Sequence, residues 1–296
     1  MNTPASPFSC LWAVAATLGE SPCWTQGSLW FVDIKGCRVH CFEESSGACH
    51  SWPAPADISF IVPDHVGQFI VGLPGMLARF SPKSGQFEPI VTVEPDQPHN
   101  RLNDACVDHR GQLWFGSMDN MERDSTGALY RWNGLAAPTC HDRDYAISNG
   151  PAFSPNGRHF YHTDTLRKVI YRFIVSDDHE LLEKRPFIQI ESGAGWPDGT
   201  TVDAEGCLWV AMYGTGSVRR YSPNGELLAT FFLPCTNVTK LIFGGSDLLT
   251  AFVTTARQGL DMQTLRTEPL AGGVFSMRVK VPGLPVVPVR VPDTWR

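Results

Sequence analysis

Along most of this chain, apolar and polar positions alternate in short runs, and each run ends at a turn. Six segments share one pattern: SPCWTQGSLWFVD (21–33), IVPDHVGQFIVG (61–72), ACVDHRGQLWFG (105–116), AFSPNGRHFYHTD (152–164), TVDAEGCLWVAM (201–212) and KLIFGGSDLLTAF (240–252). Each reads as strand, glycine turn, strand, the signature of a β-hairpin. The turn glycines are Gly27, Gly67, Gly111, Gly157, Gly206 and Gly245, and subtraction gives spacings of 40, 44, 46, 49 and 39 residues. Three residues after each stands a large apolar residue: Trp30, Ile70, Trp114, Phe160, Trp209 and Leu248. That position predicts one repeated core contact per unit.

Between these hairpins lie further strand-like pairs, such as LARFSPKSG and VRRYSPNGE, giving about four strands per unit. A period of about 40–50 residues with four strands each predicts a β-propeller. The expectation is therefore an all-β, six-bladed β-propeller with four-stranded antiparallel blades around a central channel, one domain over 1–296. Residues 1–7 are expected to form a flexible tail. FSCLWAVAA (8–16) is expected to close the ring as the outer strand of the last blade. A β-sandwich would also use short strands, but it does not call for a six-fold register.

In a propeller the first strand of each blade lines the channel. Counting back eight residues from the turn glycines reaches Ser59, Asn103, Asn149, Asp198 and Asn237; the first turn is one residue shorter, and seven back is Glu20. One structural position thus repeats as Glu, Ser, Asn, Asn, Asp, Asn. Small polar residues also cap strand entries. Two carboxylates converging with amides repel unless a cation lies between them, so the ring reads as a metal-binding channel. All-oxygen donors suit a hard cation such as Ca²⁺, Mg²⁺ or Mn²⁺. His162, on an inner hairpin strand, reads as a core histidine.

Composition narrows the partners. The chain has 24 Lys and Arg against 30 Asp and Glu, a net charge of −6 without a basic run, so nucleic acid and anionic membranes are poor candidates. No stretch approaches the roughly 18 apolar residues of a membrane span. The N-terminus, lacking Lys and Arg, does not read as a signal peptide. Nine cysteines without a C-x-x-C pair read as reduced thiols in a cytoplasmic protein, a monomer by default. The chain has no G-x-S-x-G elbow, no phosphate-binding Walker loop, and no dinucleotide fingerprint after a strand.

The stretches LGESPCW, RLNDACVDHRGQLWFGSMD, ISNGPAFSPNGRHFYHTDT and WPDGTTVDAEGCLWVA resemble the SMP-30/gluconolactonase (regucalcin-like) family, in the family's order, from about Leu11 to Val279. With CTNVTKLIFGG and PLAGGVFSM, the chain looks most like the bacterial pentonolactonases of the xylono- and arabinolactonase type. The resemblance implies a six-bladed propeller and one divalent metal ion held by Glu20, Asn149 and Asp198. Its identity is left open among Ca²⁺, Zn²⁺, Mg²⁺, Mn²⁺ and Fe²⁺. It also implies substrate contacts from Arg101 and Asn103, with Asp119 or Glu122 adding an acidic one.

The expected activity is metal-dependent hydrolysis of a small-molecule sugar lactone to its aldonic acid, with Asp198 also assisting proton transfer. A non-catalytic metal-binding propeller and a lactonase for non-sugar lactones are the alternatives. Asp57–Phe60, Asp119–Asp124, Glu191–Trp196 and Tyr213–Gly216 are expected at the channel mouth, where Trp196 and Tyr213 could stack on a sugar ring or simply pack. For Arg101 the competing role is a surface ion pair with Asp104.

Overall fold

A computed structural model describes residues 6–295. They form six four-stranded antiparallel sheets arranged as a six-bladed β-propeller. The innermost strands of blades 1 to 6 are Gly19–Thr25, Ile61–Pro63, Asn100–Val107, Ser148–Phe153, Trp196–Val202 and Val238–Gly244. They pack against one another around the axis. Blade 6 is completed from the other end of the chain: Ser9–Trp12 is its outer strand, with Ser9 paired to Ser276. The expected closing segment is therefore correct in place and shorter than 8–16.

Six hydrophobic clusters fill the six gaps between neighbouring blades. Trp114 and Leu129 of blade 3 meet Phe160 and Phe173 of blade 4, for example, while Trp24 and Phe31 of blade 1 meet Phe252 and Val274 of blade 6. The core is thus a ring of interfaces, and the inner strands are buried on both faces. The repeated apolar position supplies these contacts through Ile70, Trp114, Phe160 and Trp209, all buried. In blade 6 the repeat breaks. Leu248 sits in the turn itself at φ 56°, where Asp247 Oδ1 accepts from Leu249 N at 3.0 Å, and Phe252 takes the packing role against Trp24. The longer turn shifts the strand, which residue counting did not detect.

An aspartate fixes the hairpin turns. Asp108 Oδ1 accepts from Arg110 N and Gln112 N while its Oδ2 accepts from Trp114 Nε1 at 3.0 Å; Asp203 does the same with Glu205 N, Cys207 N and Trp209 Nε1. Each carboxylate satisfies two turn amides and the indole of the buried Trp, so turn and core are set together.

The chain past Lys280 crosses one end of the channel as an extended strap. Ala204 N donates to Pro282 O, Val289 N to Pro63 O and Arg290 N to Gly111 O, which ties blades 5, 2 and 3 together. Of the expected 1–7 tail, residues 1–5 lie outside those described; Ser6 Oγ donates to Phe232 O at 2.7 Å. All nine cysteines are free thiols, four of them buried and Cys49 exposed. No helix among the described residues is long and apolar enough to cross a membrane.

Candidate metal centre and substrate cavity

At the channel end away from the strap lies a cavity of about 300 Å³, the lower end of the range for small-molecule sites. Its floor carries Glu20, Asn103, Asn149 and Asp198, from the inner strands of blades 1, 3, 4 and 5. The same irregularity brings them there. The strand pairing skips between Glu20 and Cys23, between Leu102 and Ala105, between Asn149 and Ala152, and between Pro197 and Thr200. A bulge at one level of each of these four blades re-aims a side chain towards the axis.

Two glycines make the bulges fit. Gly150 has φ 52°, and a Cβ there would lie 2.6 Å from Thr200 Oγ1; at Gly199 a Cβ would lie 2.5 Å from Lys240 Cγ. The S-N-G and P-D-G motifs therefore carry their glycines for close approach, and the preceding Asn149 and Asp198 line the cavity.

Ser59 and Asn237, the other two ring positions, do not line the cavity. Ser59 Oγ donates to Leu102 O, and Asn237 Nδ2 donates to Gln258 O at 2.9 Å. Both are structural ties between chain segments.

Electrostatics supports a cation on this floor. Burial pushes the Glu20 carboxyl up, and the neighbouring Asp104 adds to it. Burial likewise raises Asp198, reinforced by Glu20 and Asp104. Lys240 and Arg101 oppose both shifts without cancelling them. Two desolvated carboxylates with an amide oxygen, short of positive charge, fit a hard divalent cation. Among the described residues no three His, Cys, Asp or Glu side chains gather as a metal group, so a cation held on this floor would need an amide oxygen, such as that of Asn149, beside the carboxylates.

The amides are oriented in series. Arg101 Nη1 donates to Asn103 Oδ1 at 2.6 Å, Asn103 Nδ2 donates to Asn149 Oδ1 at 2.9 Å, and Asn149 Nδ2 donates to Thr165 Oγ1 at 3.1 Å. This polarity fixes which end of each amide is oxygen. Arg101 is buried, and burial lowers its pKa against the pull of Glu122 and Glu20. Its Nε has no hydrogen-bond partner. Arg101 is therefore no surface ion pair with Asp104.

Asp104 has other partners, which sequence reasoning missed. It forms a buried ion pair with Lys240, accepts from Ala105 N at 2.8 Å, and accepts from Gly150 N at 3.0 Å. Burial alone would lower the Lys240 pKa; Asp104 overrides it and the net shift is upward. A lysine in the apolar inner strand VTKLIFG was the available signal.

The two acidic candidates of blade 3 separate. Glu122 lines the cavity, whereas Asp119 turns away and accepts from the backbone N–H groups of Met121, Arg123 and Asp124, which hold its pKa low. Asp119 shapes the loop that presents Glu122. Trp196 and Tyr213 both line the cavity; Asp57 instead pairs with Lys35 at 2.5 Å. His162 is a buried core residue, its Nε2 2.9 Å from Ser148 Oγ and its pKa pushed down to about 3 by burial.

The strap end holds a larger cavity, about 520 Å³, with Cys23, Cys106 and apolar side chains in its wall. Burial pushes the Cys23 thiol up to about 12 and Cys106 well above its ordinary value. Neither is a nucleophile at neutral pH.

The sequence profile of the SMP-30/Gluconolactonase/LRE-like region matches residues 18–257. The chain belongs to this family. Among curated relatives it is 31% identical over 279 residues to 6-deoxy-6-sulfogluconolactonase of Pseudomonas putida, covering 93% of this chain and 96% of the relative. It is 33% identical over 292 residues to L-arabinolactonase of Azospirillum brasilense, covering 95% of each. The solved structure of regucalcin from Agrobacterium tumefaciens, described as a calcium-binding protein, superposes with a TM-score of 0.90 at 27% identity, over 95% of this chain and 96% of that one. All six innermost strands fall within the matched residues, so the family membership covers the whole cavity floor.

Proposed function

We propose that this protein is a metal-dependent sugar lactonase that opens an aldonolactone to its aldonic acid. The observation that carries the reading is the convergence of Glu20, Asn149 and Asp198 on the floor of a sugar-sized cavity. The lactonase names of full-length relatives support it.

Glu20, Asn149 and Asp198 would hold one divalent cation. When bound, it polarises the lactone carbonyl and makes a water more acidic. Asp198, on the same floor, would take the water's proton as the oxygen adds to the carbonyl carbon. The ring C–O bond then breaks, and the proton passes to the leaving alkoxide oxygen. Arg101 lines the cavity and would offer a guanidinium N–H to a substrate oxygen. Asn103 acts as a positioning residue, because both ends of its amide are already engaged by Arg101, Ser148 O and Asn149.

The test is a pH-indicator assay over pentono- and hexonolactones, with and without chelator, alongside elemental analysis of the purified protein. Asp198→Ala is expected to lose turnover by orders of magnitude while its circular dichroism stays unchanged. Near-normal turnover by that variant overturns the assignment. A protein that binds metal yet is silent on every lactone would be a binding propeller instead.

A further inference from the structure

The line of hydrogen bonds from Arg101 through Asn103 and Asn149 does not stop at Thr165. Thr165 Oγ1 accepts from Asn149 Nδ2 at 3.1 Å and itself donates to Pro197 O at 2.9 Å. Both ends of the line fix its direction, because a guanidinium only donates and a carbonyl oxygen only accepts. The Thr165 hydroxyl has one hydrogen, and Pro197 O takes it. Towards Asn149 the hydroxyl can therefore only accept. The amide must present its NH2 group to Thr165 and its oxygen to Asn103 Nδ2, which lies 2.9 Å from it.

Thr165 owes this place to the architecture of blade 4. The second strand of that blade, His159–Asp164, ends one residue earlier, and Thr165 N donates to Ile147 O at 3.1 Å. The side chain is buried in the cavity wall, where it joins the innermost strand of blade 4 to that of blade 5. Its partners are Asn149 itself and Pro197, the neighbour of Asp198. One hydroxyl thus ties an amide donor of the floor to the strand that carries a carboxylate donor.

We propose that Thr165 is a positioning residue for the cation site, a role that rests on the metal-dependent reading given above. Its hydroxyl keeps the Asn149 oxygen, and not the nitrogen, on the side of Asn103. Asn103 takes one lone pair of that oxygen and leaves the second for a cation. Without the hydroxyl the amide is free to turn and to put an NH2 group, which offers no lone pair, in the same place. The bond to Thr165 also draws electron density onto the oxygen, since hydrogen bonds in a line polarise one another.

The experiment titrates Ca²⁺ and, separately, Mn²⁺ into the metal-free full chain by calorimetry. Parent, Thr165→Val, Thr165→Ala and Thr165→Ser are compared. Val removes the hydroxyl at nearly constant volume; Ala removes it in a smaller side chain, so the comparison does not hang on one variant folding. Both are expected to bind about 10–100-fold more weakly, the scale for a group that orients a metal ligand, and Ser to bind as the parent does. Parent-like affinity in Val and Ala overturns the proposal. So does a Ser variant as weak as Val, which would place the effect in the packing of the methyl group. Crystal structures of the metal-free parent and Val variant read the geometry directly: the contact from Asn103 Nδ2 to Asn149 Oδ1 is expected to be lost in Val. If the parent binds neither ion, the metal reading fails. The crystal structures then decide the positioning role alone: a turned Asn149 amide in Val sustains it, and an unmoved amide overturns it.

Discussion

Replacing Lys240 by Met tests how the floor is held. The ammonium is buried and donates to Asp104 and, at 3.3 Å, to Ala105 O. Met keeps most of the stem and its packing against Gly199, so the change removes charge more than volume. Asp104 would then remain buried beside Glu20 and Asp198, with Arg101 as the cation left. Breaking a buried pair by removing one partner costs about 3–5 kcal/mol. The loss of one methylene-sized group adds about 1 kcal/mol at most, so the electrostatic contribution decides. Urea unfolding of metal-free protein should therefore show Lys240→Met destabilised by about 3–5 kcal/mol. The double variant with Asp104→Asn should recover most of it, since an amide can still accept from Gly150 N without a buried charge. Saturating divalent metal should narrow the gap, because a cation beside the uncompensated Asp104 carboxylate binds the folded variant more tightly than the parent. A single variant within 1 kcal/mol of the parent, or a double variant no better than the single, would refute the claim that this ion pair sustains the floor.

Gly150→Ala should destabilise by about 2 kcal/mol or more, from a left-handed backbone with φ 52° and a clash with Thr200; it should also weaken metal binding, read by calorimetry, because Asn149 moves with it. Acid should reveal His40. Burial lowers its pKa from 6.5 to about 4 in the folded chain, so the unfolded chain takes the proton first. Its contribution is complete above pH 6.5 and is lost as pH falls towards 4, by up to about 3 kcal/mol. Unfolding curves of His40→Gln should fall less steeply over that window; parallel pH profiles would contradict the assignment.

The propeller was legible because a repeat states its core contact six times, and one irregular unit, the turn at Leu248, does not hide the other five. Glu20, Asn149 and Asp198 were legible for the same reason, since counting from a turn finds equivalent positions. Counting does not show which way a side chain turns. The ring therefore included Ser59 and Asn237, whose side chains serve the backbone instead. Nor does it find partners made by closure: Asp104 and Lys240 are 136 residues apart and meet only because blades 3 and 6 share the axis. Asp119 and Glu122 could not be separated by spacing, because which one enters the cavity depends on the backbone amides of Met121, Arg123 and Asp124, which capture the Asp119 carboxylate.

The outer strand Ser9–Trp12 belongs to blade 6 although it leaves the ribosome before all five other blades and the rest of its own. It must wait without its partner until Val274–Arg278 has been made. Blade 1 meanwhile has its own four strands from its own stretch of chain. Ring closure is thus a late event in synthesis, and loop entropy does not forbid it, because its cost rises only logarithmically with the length enclosed. Until then the edge of blade 6 is an open template for another chain's strand. The vulnerable moment for aggregation is the interval before Ser9–Trp12 meets Val274–Arg278.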